Sequence, residues 1–333
     1  MQDSTTTMHT LLTVLLLGTA HGFSSVPSTS RMEGKFTLED GSPLPYEAQV
    51  PIRKVIAGCE FLCGACESRV VVIPFYLYQV PHVAGGAPLL FYISPTCRPL
   101  SFWKTFVAGG AAHAVALGWA FAMVELPQYH LLPGEPTPGW FCSLNSSDAS
   151  RSNDTSWANQ SAACIGVEGL ANQLFSGEAS PLAVLCRSPT IDCSKGVGIV
   201  GTSLPGSIAK QAARMDARVT ATLITSVPQD PCTPSVLPPS KVLALIGADE
   251  EFYVGVTGLQ ALTGAPQSAC GTSTRCIAAD GSGYNVIQSV EPVLGVSSSV
   301  PNHLSFLLRF WLGEDEEWHY PAALEWLMGA ARA

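Results

Sequence analysis

Three side chains with the chemistry of acyl transfer stand in order along the chain. Ser203 lies in Gly201-Thr202-Ser203-Leu204-Pro205-Gly206, between a short apolar stretch at 197–201 and an Ala-rich run whose apolar Ile208, Ala212 and Met215 are four and three residues apart. A serine hydroxyl is a weak nucleophile until a neighbouring base takes its proton, and that base works only when a third group orients it. Carboxylates for the third role occur together in Gly247-Ala248-Asp249-Glu250-Glu251, and a histidine for the second occurs in Pro301-Asn302-His303. Taken singly, a run of carboxylates is ordinarily a solvated loop and a lone histidine ordinarily structural. Their meaning depends on the elements that position them.

The change of period around Ser203 predicts strand, sharp turn and helix. A serine forced onto such a turn has its hydroxyl exposed above the sheet, and small flanking residues let strand and helix approach closely. The run is a G-x-S-x-G nucleophile elbow with Pro205 in place of its last glycine. On these residues the sequence resembles the α/β-hydrolase superfamily, over roughly residues 88–312. The resemblance implies an α/β fold with a mostly parallel central sheet and helices on both faces. It implies Ser203 as nucleophile, an acid in the loop after the strand at 241–247, and His303 presented by an ordered loop after the last strand. The usual spacing of glycine, two residues and acid selects Glu250, with Asp249 and Glu251 as neighbours able to substitute. Oxyanion N–H groups would come from Leu204 and, because Pro95 has none, from Thr96 or Cys97. The implied activity is hydrolysis of a carboxylic ester or related acyl substrate, small or lipid-like, without a cofactor. Pro205 opens a second reading. If proline occupies the first turn of the helix it is tolerated there. If it drives Leu204 out of the helical region, the elbow is distorted and the chain is a non-catalytic binding protein of the same fold.

The remaining text supplies the elements this requires. Apolar or β-branched runs at 69–78, 88–93, 219–225 and 241–247 predict strands, the first of them an antiparallel lead-in to the sheet. Residues 107–124 carry no charge and have the composition of a membrane span. Their place between the strand at 88–93 and the elbow predicts instead a helix at 102–117 and a buried strand at 120–126, with no stable membrane insertion. Further helical readings fall at 165–185, 258–264, 304–312 and around 324–328, with a disulfide-closed turn and the last strand between 270 and 288.

Composition bounds the rest. With 333 residues, 47% hydrophobic and 13% charged, the chain can bury one large core. A net charge of −9 with only 17 Lys and Arg, none clustered, argues against nucleic-acid binding. An apolar stretch at 11–17 followed by Gly18 and Ala20 predicts a signal peptide over residues 1–22 and a single domain from Phe23 to Ala333. The Ser-rich FSSVPSTSR that follows leaves a bipartite plastid presequence as the alternative to secretion. Asn145, Asn153 and Asn159 each begin an N-glycosylation sequon within a polar loop insertion at about 127–161. Eleven cysteines favour disulfides and a secretory lumen. Proximity pairs Cys186 with Cys193, Cys270 with Cys276 and Cys142 with Cys164. The Cys59, Cys63, Cys66 cluster lacks a second ligand pair, so no metal is expected there.

Overall fold

The computed structural model describes residues 47–51, 68–72, 75–78, 85–95, 100–124, 171, 174–178, 180–227, 236–251, 253, 255–288, 301–312 and 320–332. Strands β1 (Glu47–Pro51) and β2 (Ser68–Val72) form a separate antiparallel pair. The central sheet has eight strands. They are β3 (Phe75–Tyr78), β4 (Leu89–Ile93), β5 (Ala120–Val124), β6 (Val197–Thr202), β7 (Val219–Thr225), β8 (Val242–Gly247), β9 (Arg275–Ile277) and β10 (Gly283–Ile287). Their spatial order is β3-β5-β4-β6-β7-β8-β10-β9. The six inner strands are parallel, and only the outer strands β3 and β9 run antiparallel to their neighbours.

Alternation along each strand decides which helices cover which face. Leu89, Phe91, Ile93, Val197 and Ile199 point to the side of α2 (Pro181–Cys186) and α3 (Leu204–Met215), where Leu182, Leu185, Ile208 and Ala212 complete the layer. At the β8 end of that sheet, α4 (Gly255–Thr263) packs Leu259 and Leu262 on Val242, Ala244 and Ile246, beside the short α5 (Gln267–Cys270). Leu90, Tyr92, Val200, Leu223 and Leu245 face the other way, onto α1 (Leu100–Ala116), α6 (Pro301–Leu312) and α7 (Tyr320–Arg332). A mostly parallel sheet with helices on both faces, entered by a strand–turn–helix at Ser203, is the α/β-hydrolase fold.

The uncharged run at 107–124 divides between α1 and β5, joined by a turn at Gly118, and β5 is buried along its whole length. No helix among the described residues is long and apolar enough to cross a membrane. Disulfides join Cys186 to Cys193 and Cys270 to Cys276. Cys142, Cys164, the Cys59 cluster and the three sequons lie outside the described residues.

Three expectations are corrected. The helix expected across 165–185 is interrupted at 176–178, where Gly177 has a positive φ of 76°, and Ser180 starts α2 by accepting the Ala183 N–H at 3.3 Å, with Pro181 in the first turn. The segment after Cys270 gives two strands rather than one, because Gly281 and Gly283, both at positive φ, turn the chain back as a β9–β10 hairpin. The helix expected from 304 begins at Pro301, which places His303 in its first turn and not in a preceding loop.

Candidate active site

Ser203 follows β6 directly and has φ 67° and ψ −141°, a backbone conformation that costs energy for any residue bearing a Cβ. The turn is held by two main-chain bonds: the Ser203 N–H donates to Thr225 O at 2.9 Å, and the Gly206 N–H donates to Ser203 O at 2.8 Å. Close approach explains the small residues around it. A Cβ on Gly201 would stand 2.3 Å from Pro205 O and 2.6 Å from Ala209 Cβ; one on Gly206 would stand 2.8 Å from Ile224 Cγ2. The first glycine of the motif and the glycine after Pro205 are therefore the ones sterics demands. Leu204 and Pro205 are the first two residues of α3. At those positions an N–H has no intrahelical acceptor, so proline removes nothing from the helix, and Leu204 keeps its N–H. Thr96 and Cys97 lie outside the described residues.

Ser203, His303 and Glu250, from three separate segments, meet at the carboxyl ends of the parallel strands. Ser203 Oγ is 3.0 Å from His303 Nε2, and His303 Nδ1 is 2.9 Å from Glu250 Oε2. All three are buried, at 7%, 5% and 6% exposure, so water competes little for these bonds. Glu250 is fixed by its own turn, its Oε1 accepting the Gly247 N–H at 2.7 Å. The three consecutive acids take different places. Asp249 is exposed. Glu251 reaches the start of α6, where its carboxylate accepts the Asn302 N–H at 3.1 Å and the His303 N–H at 2.8 Å. Two of the orphan donors of that helix end are thereby satisfied, and a negative charge sits at the positive end of the helix dipole. Neighbouring acids thus hold one histidine twice, Glu250 by its ring and Glu251 by its backbone.

A fourth polar side chain, Ser226, was not singled out by the sequence. It follows β7, is fully buried and has φ 55°. Its hydroxyl donates to Glu250 Oε2 and lies 2.7 Å from His303 Nδ1. No motif surrounds it in Thr225-Ser226-Val227; its one sequence signal is its position immediately after a strand of the parallel sheet. Below the site, Thr202 and Thr225 pair their hydroxyls at 2.8 Å. Burial pushes the phenol of the nearby Tyr92 far above its usual range, which keeps it neutral. Trp311, eight residues after His303 on α6, is 1% exposed and stacks edge-on against Tyr92 at 5.1 Å, fixing the helix on the sheet. In such cores truncation of a tryptophan costs roughly 3–5 kcal/mol. Among the described residues no group of His, Cys, Asp and Glu could hold a metal ion.

Chemically, the line from Ser203 to Glu250 can move a proton off a hydroxyl and stabilise the imidazolium that results. No family model matches the chain, and no curated protein matches it. Among solved structures it is similar to EstE1, a carboxylesterase cloned from a metagenomic library, at 10% identity and a TM-score of 0.41, over 86% of this chain and 89% of that one. It is similar also to a CE15 glucuronoyl esterase from Teredinibacter turnerae, at 12% identity and a TM-score of 0.38, over 80% and 73% of the two chains. With DcsB in complex with its substrate analogue the identity is 13% and the TM-score 0.31, over 55% of this chain and 45% of DcsB, less than half the length of that protein.

Proposed function

We propose that the chain is a serine hydrolase of carboxylic esters or related acyl substrates, small or lipid-like. The observation that carries this reading is the continuous buried line from Ser203 Oγ through both nitrogens of His303 to Glu250. In this scheme Ser203 Oγ bonds to the substrate carbonyl carbon as its proton passes to His303 Nε2. The tetrahedral intermediate collapses, the alcohol leaves with that proton, and water, deprotonated by His303, releases the acid and restores the serine. The Leu204 N–H supplies one oxyanion donor in this scheme and the N–H of Thr96 or Cys97, outside the described residues, the other. A fluorophosphonate probe tests the assignment: labelling of the wild-type protein at Ser203 is expected, and an intact folded protein that stays unlabelled would remove it.

Pro205 separates this reading from a non-catalytic binding protein. The helical positions of Leu204 and Pro205 support an elbow that needs no glycine at 205. Pro205→Gly is expected to leave the labelling rate within a few-fold of wild type and to lower stability by about 0.5–1 kcal/mol, since glycine widens the unfolded ensemble. Labelling that appears only in the glycine variant would favour the binding protein.

We also propose a single domain in the secretory lumen, following removal of residues 1–22. Two disulfides, three clustered sequons and the apolar stretch at 11–17 support it. Treatment with a glycan-cleaving amidase is expected to lower the mass of the secreted product. An unshifted chain that retains residues 1–22 contradicts the compartment, and an unglycosylated, processed chain in a plastid favours the alternative.

A further inference from the structure

The geometry points to Ser226 as a positioning residue that fixes the tautomer of His303, an inference that rests on the proposed hydrolase reading. A carboxylate only accepts hydrogen bonds, so the Ser226 hydroxyl spends its one proton on Glu250 Oε2. What Ser226 Oγ then presents to His303 Nδ1, 2.7 Å away, is a lone pair. Glu250 Oε2, 2.9 Å from the same nitrogen, presents another. With acceptors on both sides, Nδ1 must carry the ring proton. Nε2 is left with its lone pair toward Ser203 Oγ, the form in which it can accept a proton. Ser226 thus does two things: it adds a donor to the carboxylate and, acting with Glu250, adds a second acceptor against the tautomer that would present N–H to the serine.

The backbone at this position supports a role for the hydroxyl. Ser226 is 0% exposed and has φ 55°, where glycine is favoured and a serine is strained. Glycine would meet the conformational demand better; what serine adds is its Oγ. The residue is also anchored where it matters, its N–H donating to Leu245 O at 2.8 Å while the preceding Thr225 O accepts the Ser203 N–H at 2.9 Å. One turn after β7 therefore ties the nucleophile's backbone to the hydroxyl that faces His303 and Glu250.

Two variants and two readouts test this. Ser226→Gly deletes the hydroxyl and relieves the backbone; Ser226→Ala deletes it and keeps the strain. Both are expected to lower kcat of ester turnover by roughly ten- to a hundredfold with KM unchanged, the effect of losing one hydrogen bond to a charged group, while the glycine variant melts no lower than wild type. Independently of turnover, the downfield proton NMR signal of His303 Nδ1–H, assigned by its loss in His303→Ala, is expected to shift or broaden in both. Wild-type kcat together with an unmoved resonance in the folded variants overturns the role of Ser226. Should the wild-type protein show no Ser203-dependent turnover, the hydrolase reading fails while the resonance still decides the tautomer: moved, it supports the positioning role; unmoved, it removes it.

Discussion

Alanine at Ser203 or at His303 is expected to slow ester turnover by about four to six orders of magnitude, the loss seen when a nucleophile or its base is removed from a unit that acts together. The two losses should be nearly equal and should not add in the double variant, because a serine without a base and a base without a serine are equally idle. Fluorophosphonate labelling should vanish in the first and become very slow in the second. Ser203→Ala removes one buried hydroxyl and its bond to His303 Nε2, so melting should fall by no more than one such bond is worth, about 0.5–1.5 kcal/mol. His303→Ala leaves Glu250 with one partner fewer in a buried site and is expected to cost about 1–3 kcal/mol. Stopped or continuous ester assays with melting curves check both. Turnover that persists in Ser203→Ala at the wild-type rate would dismiss the nucleophile and the mechanism with it.

Glu250→Gln is expected to lower kcat about ten-thousandfold with little change in volume. The Gly247 N–H at 2.7 Å keeps the amide oxygen of the glutamine on its own side, which turns the amide NH2 toward His303. Facing a donor, Nδ1 must give up its proton, and Nε2 takes the N–H that cannot accept from serine. Asp249→Asn, on the exposed neighbour, should be silent in the same assay. Glu251→Gln should show its effect mainly in melting, by about 1 kcal/mol, because it weakens the grip on the α6 amides. A kcat that falls most in Asp249→Asn would reassign the acid.

What the sequence made legible were the features carried by local pattern. The elbow shows in the switch of period at Ser203, the inner strands show as runs rich in apolar and β-branched residues, and both described disulfides follow from spacing. The split of 107–124 into helix and strand followed from the order of elements. The choice among Asp249, Glu250 and Glu251 rested on resemblance alone, since three adjacent carboxylates on a turn diverge in ways that only the packed turn determines. Ser226 was invisible for a related reason: its partners lie 24 and 77 residues away, and a serine after a strand has no local mark. The helical seat of His303 depended on a carboxylate 52 residues distant that stabilises the helix start. Local propensity cannot report such long-range partners.

The hairpin at the far side of the sheet has a bearing on how copies of the molecule behave toward each other. An outermost strand offers unpaired amides on which another chain can build, the usual beginning of sheet-to-sheet aggregation. Here that strand is β9, three residues long, with Arg275 exposed and Cys276 bonded to Cys270 of α5. A ladder so short, charged at its start and pinned to a helix, gives an incoming strand little to extend. At high concentration this border of the sheet is expected to resist templated growth, which light scattering of the concentrated protein checks.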